Sequence, residues 1–379
     1  MYYKKMQFIL KRIVIIKILL ILIILEILSS LLLKKSYTYR DLLKLGEAKE
    51  IKSERSTAHP RIYEYSEYLP FTLPKNFNYR HHFAEFDVRY KFNKFGYRGL
   101  LPTKILKNQK NTRVLFLGDS FTFGFGVRKK DTFVELNNFY SKNRNIEFLN
   151  AGYHAGNSLD SYYAYLKNEG VLLAPSMALI FIYSGNDIDD IREHVWKSLD
   201  DNGLPRKVRT KRNFINYEGE FFFLKDKLIT PWNYQIPLLN NSKLFISLTN
   251  IANQFILPKK NIKNLLEGSY YELMPIEVAK KKFQLSLIGI NKFLKERKIL
   301  PIFFVIPEAR AYPKRTANYK VSLSKHTEII EMLLKLPSLK FIDLYPYLTH
   351  EDYFNKDAHF NHRGHFKVYN IIDDLNIFN

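Results

Sequence analysis

Val114-Leu115-Phe116-Leu117-Gly118-Asp119-Ser120-Phe121-Thr122-Phe123-Gly124 decides how the rest of the chain is read. Its first four residues form an unbroken apolar run, the pattern of a strand buried on both faces. Gly118 ends the run, and Ser120 stands immediately beyond it. A serine there projects into the crevice past the carboxyl end of a strand, and a helix beginning at that point favours developing negative charge. A serine hydroxyl is a weak nucleophile unless a base lies within hydrogen-bond reach. Read from this segment alone, Ser120 serves equally well as the cap of a short helix.

Downstream and upstream of that segment, short β-branched and aromatic runs alternate with helical patterns. Strands are expected at Arg113–Leu117, Ile146–Asn150, Met177–Tyr183, Leu300–Ile306 and Lys340–Leu344, with helices near 131–142, 158–169, 276–298, 323–335 and 362–375. This alternation predicts an α/β fold, a parallel sheet covered by helices on both faces. In such sheets ligands lie beyond the carboxyl ends of the strands.

Three further motifs fall at those ends or in the loop before the last helix. Asn150-Ala151-Gly152-Tyr153-His154-Ala155-Gly156-Asn157-Ser158 closes the second strand, where Gly152 lets a backbone approach a substrate and offers its N–H; an ordinary glycine turn accounts for it as well. Tyr183-Ser184-Gly185-Asn186-Asp187 closes the third, and the Asn186 amide donates hydrogen bonds at any pH. Asp187, Asp189 and Asp190 raise the question of a metal, but no matching ligand set accompanies them, so neither metal nor cofactor is expected. The last motif is Asp357-Ala358-His359-Phe360-Asn361-His362-Arg363-Gly364-His365. Asn361 is a good N-cap for the final helix. Two residues apart in an extended loop, Asp357 and His359 point to the same side, so the carboxylate orients the imidazole that faces a serine. His362 and His365 are rivals for the base, or a metal pair on the helix. His359 is preferred because the base must reach Ser120 from the loop.

In this order, the four blocks resemble those of the SGNH (GDSL-like) hydrolase family over about residues 111–379: GDS, a glycine block, GND and a final Asp-x-His. Asn93 to Gly99 (NKFGYRG) also looks like the segment preceding the GDSFTFG block in some bacterial members. The resemblance implies a flavodoxin-like three-layer α/β/α sandwich. It implies Ser120 as nucleophile, His359 as general base and Asp357 as its orienting carboxylate. The Ser120 and Gly152 N–H groups and the Asn186 amide would make the oxyanion hole. The implied reaction is hydrolysis of an O-acyl ester, often O-acetyl, on an envelope glycan or a lipid. An O-acyltransferase would use the same triad, and an idle SGNH domain that binds or assembles envelope glycan is a reading from another class. No G-x-S-x-G elbow, G-x-x-x-x-G-K-[ST] loop or H-E-x-x-H helix occurs.

The amino-terminal third reads differently. After a basic tail, residues 1–12, the stretch 13–33 is nearly all Ile, Leu and Val, long enough to span a bilayer core of roughly 30 Å. Lys17 lies near one end of it, whereas Glu26 is costly in lipid. No small-residue cleavage site stands out beyond Ser29-Ser30, so an uncleaved anchor is expected. Lysines on both sides leave orientation open; an extracytoplasmic catalytic domain is the expectation. Residues 34–110 read as a connector, with a short helix at Leu42–Ile51, a loop-like tract at 57–78 and a strand and turn within Arg89–Leu100. Residues 188–275, with Trp196, Trp232 and the run Phe221-Phe222-Phe223, interrupt the strand–helix alternation and read as an insertion capping or flanking the site.

The 379 residues are 46% apolar and 25% charged, which is ordinary for a globular chain with a sizeable core. Cysteine is absent, which excludes disulfides, thiolate metal sites and cysteine nucleophiles. Of the net charge of +22, residues 1–40 carry +7, from eight Lys/Arg and one Glu, and the remainder +15. Such a balance favours an anionic surface or polymer, with Arg206-Lys207-Val208-Arg209-Thr210-Lys211-Arg212 in the insertion as the candidate contact. A Lys-rich composition explains it equally, and nucleic acid is not expected as a partner.

Overall fold

The computed structural model describes residues 2–33, 38–41, 50–52, 66–99, 112–141, 145–153, 156–210, 223–224, 227–228, 236–256 and 273–378. The chain divides into two compact units, one of residues 1–48 and 212–270, the other of 49–211 and 271–379.

The larger unit is built on five parallel strands: β4 (Thr112–Gly118), β5 (Ile146–Gly152), β6 (Met177–Tyr183), β11 (Leu300–Ile306) and β12 (Phe341–Asp343). Their order is β12-β11-β6-β4-β5, which, counting only these strands along the chain, is the flavodoxin-like order 2-1-3-4-5. The strands and helices predicted from residue 113 onward all appear, with ends shifted by a few residues. Because both faces are covered, alternate residues of each strand enter opposite cores. Leu115, Leu117, Ile180, Ile182, Phe303 and Val305 pack on one side. Val114, Phe116, Leu179, Phe181, Phe304 and Ile306 pack on the other. The first side is covered by α4 (Leu159–Asn168), α7 (Ile276–Glu296) and α8 (Tyr319–Leu334). The second is covered by α3 (Phe133–Tyr140) and α9 (His362–Asp374). The strand order reverses between β4 and β6, which opens the crevice at their carboxyl ends.

Two sequence readings are redrawn here. Part of the supposed connector belongs to this unit: β2 (Asn78–Phe83) and β3 (Phe86–Lys91) form an antiparallel hairpin with Ala84-Glu85 at its tip, and β1 (Glu50–Lys52) pairs with β2. The expected helix at Leu42–Ile51 lies mostly outside the described residues, and its end, 50–51, is strand. The insertion is not one body either. Its first part, α5 (Asp187–Arg192) and the hairpin of β7 (His194–Leu199) and β8 (Pro205–Thr210), packs within the α/β unit. Arg209 of the basic run donates to the carbonyls of Glu67, Leu69 and Val208, so it fastens chain segments together.

The smaller unit contains α1 (Tyr2–Leu32), the two-residue strands β9 (Phe223–Leu224) and β10 (Lys227–Leu228), and α6 (Lys243–Ile256). Within α1, Ile9–Leu32 is long and apolar enough to cross a membrane.

Candidate active site

Ser120 opens a single helical turn, α2 (Ser120–Phe123), at the end of β4. The cap of that turn is Asp119, whose carboxylate accepts from the Phe121 N–H at 3.0 Å. The capping role that Ser120 might have filled is therefore taken, and its hydroxyl is left for other work. The turn closes at Gly124, in the left-handed region at φ +84°, where a Cβ would meet the Thr132 side chain at 2.3 Å.

The far end of the chain completes the site. His359 Nε2 lies 2.6 Å from Ser120 Oγ, and His359 Nδ1 lies 2.5 Å from Asp357 Oδ1. The same Asp357 oxygen accepts from the His359 backbone N–H at 2.8 Å, so the carboxylate holds both ring and backbone. Phe125 and Phe121 pack beside the imidazole, with centroids 4.6 and 5.0 Å from it. Ser120 is 8% exposed, and the His359 side chain 21%. Burial pulls the His359 pKa down, but the charge and hydrogen bond of Asp357, with the charge of Asp119, outweigh it and leave the pKa raised. Asp119 itself is pushed up to about 7, chiefly by burial.

The rival histidines do other things. His365 is buried, its Nδ1 accepts from the Phe133 N–H at 3.3 Å, and burial drives its pKa down to about 3. His362 is exposed on the first turn of α9. That helix is capped by Asn361, which accepts from the Arg363 and Gly364 N–H groups, as the sequence predicts. Among the described residues, no group of His, Asp and Glu is arranged to hold a metal.

No protein-family model matches the chain, and no curated protein does. Several solved structures align with it. A GDSL-like lipase from Bacteroides thetaiotaomicron shares 13% identity, with 71% of this chain and 89% of that one covered and a TM-score of 0.36. A lipolytic protein of the G-D-S-L family from Veillonella parvula shares 14%, with coverage of 70% and 98% and a TM-score of 0.35. A catalytic mutant of an acetylxylan esterase from Geobacillus stearothermophilus shares 11%, with coverage of 72% and 98% and a TM-score of 0.35. At this level of likeness the geometry, not the neighbours, carries the functional reading.

The expected oxyanion donors fare unequally. Asn186 stands at the N-cap position of α5 just past β6, without a side-chain capping bond; one amide hydrogen goes to Asp190 Oδ2 at 3.1 Å, which leaves the second. Next to it, Asp187 is buried and its pKa is raised by that burial and by the charges of Asp119 and Asp190. Gly152 differs from its sequence reading. Its N–H is spent on the Asn150 side chain at 2.9 Å. A Cβ at Gly152 would sit 2.3 Å from the Phe123 nitrogen, so this glycine exists to let α2 lie against β5. The neighbouring His154 and Ala155 lie outside the described residues.

Two supports of the site are illegible in sequence. At the tip of the β2–β3 hairpin, the Glu85 carboxylate accepts from the backbone N–H groups of Asn355, Lys356 and Asp357 at 2.7, 2.7 and 2.9 Å. Glu85 thereby holds the loop that carries Asp357 and His359. From the same segment, the buried Arg98 guanidinium donates to the carbonyls of Phe123, Gly124 and Val127, and Tyr90 Oη accepts from the Gly126 N–H. Arg98 was visible only as part of NKFGYRG; nothing in the sequence marks Glu85, 272 residues from Asp357. The second support is a buried pair, His194 with Asp160. His194 Nδ1 lies 2.9 Å from Asp160 Oδ1, and Nε2 lies 3.1 Å from the Gly156 carbonyl oxygen in the glycine block. The Trp196 indole adds a 2.7 Å hydrogen bond to Asp160.

Proposed function

We propose that this chain is a membrane-anchored serine esterase of the SGNH type, cleaving an O-acyl ester of an envelope glycan or lipid. The observation that carries the reading is the continuous line from Ser120 Oγ through the His359 ring to Asp357, with hydrogen-bond distances of 2.6 and 2.5 Å. Ser120 Oγ attacks the ester carbonyl while His359 Nε2 takes its proton. Asp357 keeps Nδ1 protonated, so Nε2 is the free base, and then stabilises the imidazolium. The oxyanion faces the start of α2 and the Asn186 amide; Gly152 is left out of this role. As the tetrahedral intermediate collapses, His359 passes the proton to the leaving alcohol and an acyl-Ser120 remains. Water then attacks that ester with His359 as base, releasing the acid and restoring the serine.

The anchor in this reading is α1, whose apolar span supports it. An extracytoplasmic catalytic unit and an O-acetyl substrate belong to the proposal as well, supported by the resemblance of the four sequence blocks.

Activity labelling of the full chain with a fluorophosphonate tests the reading. The wild type is expected to label and to hydrolyse aryl acetates, and Ser120→Ala to do neither. Labelling that survives Ser120→Ala removes the nucleophile. A folded wild type that neither labels nor hydrolyses favours a glycan-binding module.

A further inference from the structure

Glu26 is a carboxylate within the apolar span of α1, and the catalytic reading leaves it unexplained. In the smaller unit it has three donors: the Ser242 hydroxyl at 2.7 Å, the Lys243 N–H at 2.6 Å and the Leu244 N–H at 3.2 Å. The last two are the first N–H groups of α6, which have no partner within their own helix. Glu26 thus caps, from a distance of more than 200 residues, a helix brought by the second part of the insertion. It lies six residues before Leu32, about 9 Å from the end of α1. A second tie lies beyond that end: the Tyr39 N–H donates to the Asn240 carbonyl at 2.8 Å, and the Arg40 N–H to the Asn241 side chain at 2.9 Å.

The faces of α6 are not sorted as in a helix in water. Beside the fully buried Ile246, Ser247 and Thr249 are 5% and 9% exposed, whereas Leu248 and Ile251 are 56% and 49% exposed. The buried hydroxyls donate back to their own helix, Ser247 to the Lys243 carbonyl and Thr249 to that of Phe245. Ser29, also buried, is the residue one turn along α1 from Glu26. A water-soluble amphipathic helix buries its aliphatic face and exposes its polar one. Small hydroxyl residues inside and Leu and Ile outside are the pattern of helices packed within lipid. At 14 residues α6 is too short to span a bilayer and has the length of an interfacial or re-entrant segment.

We propose that α6 lies in the membrane that α1 crosses, tethered by Glu26 within the leaflet from which the chain leaves α1, with Leu248 and Ile251 facing acyl chains. The second part of the insertion is then a second membrane attachment. The inference rests on the anchor reading of α1 given above. It resolves the cost of Glu26, because a carboxylate with three donors needs no bulk water.

The chain holds no cysteine, so single cysteines can report on depth. Full-length Leu248→Cys and Ile251→Cys, carrying a nitrobenzoxadiazole label and reconstituted in phosphatidylcholine–phosphatidylglycerol vesicles, are expected to lose most of their fluorescence to doxyl lipid and little to iodide. Ile21→Cys in α1 should behave in the same way, and Leu334→Cys on α8 in the opposite way. Adding Glu26→Ala should shift the α6 labels, but not the Ile21 label, toward iodide. Iodide quenching of the α6 labels with Ile21 still in lipid overturns the inference and leaves the anchor standing. Iodide quenching of Ile21 overturns both. Lipid quenching of α6 that survives Glu26→Ala overturns the tether.

Discussion

Two histidine–carboxylate pairs of the α/β unit stand close to the motifs at the strand ends, His359 with Asp357 and His194 with Asp160. In both, burial lowers the histidine pKa and the paired carboxylate more than restores it, so the balance is upward. The partner of the second ring nitrogen separates them. His359 Nε2 faces a hydroxyl, which can donate a proton and be deprotonated. His194 Nε2 faces the Gly156 carbonyl, which can only accept, so both nitrogens of that ring donate and it stays an imidazolium. In the proposed reading the same pair is thus a base in one place and a fixed brace of the glycine block in the other. A histidine beside an aspartate is not a catalytic signal until its third partner is known.

The largest test of that contrast is His359→Ala. It should lower kcat for aryl acetates by about 10⁴-fold or more while leaving the fold intact. Activity measured beside thermal unfolding checks both, and retained turnover would remove His359 as the base. His194→Ala should do the reverse at first reading: it strands a buried carboxylate and is expected to cost about 3–5 kcal/mol of stability. Denaturant unfolding measures this, and an unchanged midpoint would show that the brace carries no load. Glu85→Ala comes next, because it frees three amides of the loop bearing Asp357. We expect kcat to fall roughly 10- to 100-fold with KM little changed, since misplacement of the base acts on the reacting geometry; Glu85→Gln should recover part of it. A rise in KM alone would place Glu85 in substrate binding instead.

The smallest effects are those of pH, and the two pairs act on opposite sides. His359 must be neutral to accept a proton, so kcat/KM should fall as pH drops through its raised pKa, above the ordinary value of about 6.5. His194 has a folded pKa raised above its unfolded value. Its contribution to stability is full below about pH 6.5 and is lost as pH rises through the folded pKa. The stability gap between wild type and His194→Gln should therefore narrow toward alkaline pH, and a gap that widens there would reverse the assigned charge.

The sheet was legible because four of its five strands are buried on both faces, so the apolar runs at 114–117, 177–183 and 300–306 admit few other readings. Ser120, Asn186, Asp357 and His359 could be picked out as candidates because strand ends and the loop before the last helix are defined by local pattern, and the parallel sheet gathers those ends at one edge. Gly152 was misread because its glycine serves close packing against α2, and a packing need leaves the same letter as a binding need. Glu85, His194 and the partner of Glu26 were not legible. Each is a polar side chain whose meaning lies in donors or acceptors brought from tens to hundreds of residues away, and hydrogen bonds of that kind leave no period or spacing in the chain. Sequence alone determined the α/β architecture and nominated the residues of the candidate site. The tertiary structure decided which histidine lies beside Ser120, what holds its loop and where the buried charges find their partners, because those depend on direction and distance, which local pattern does not encode.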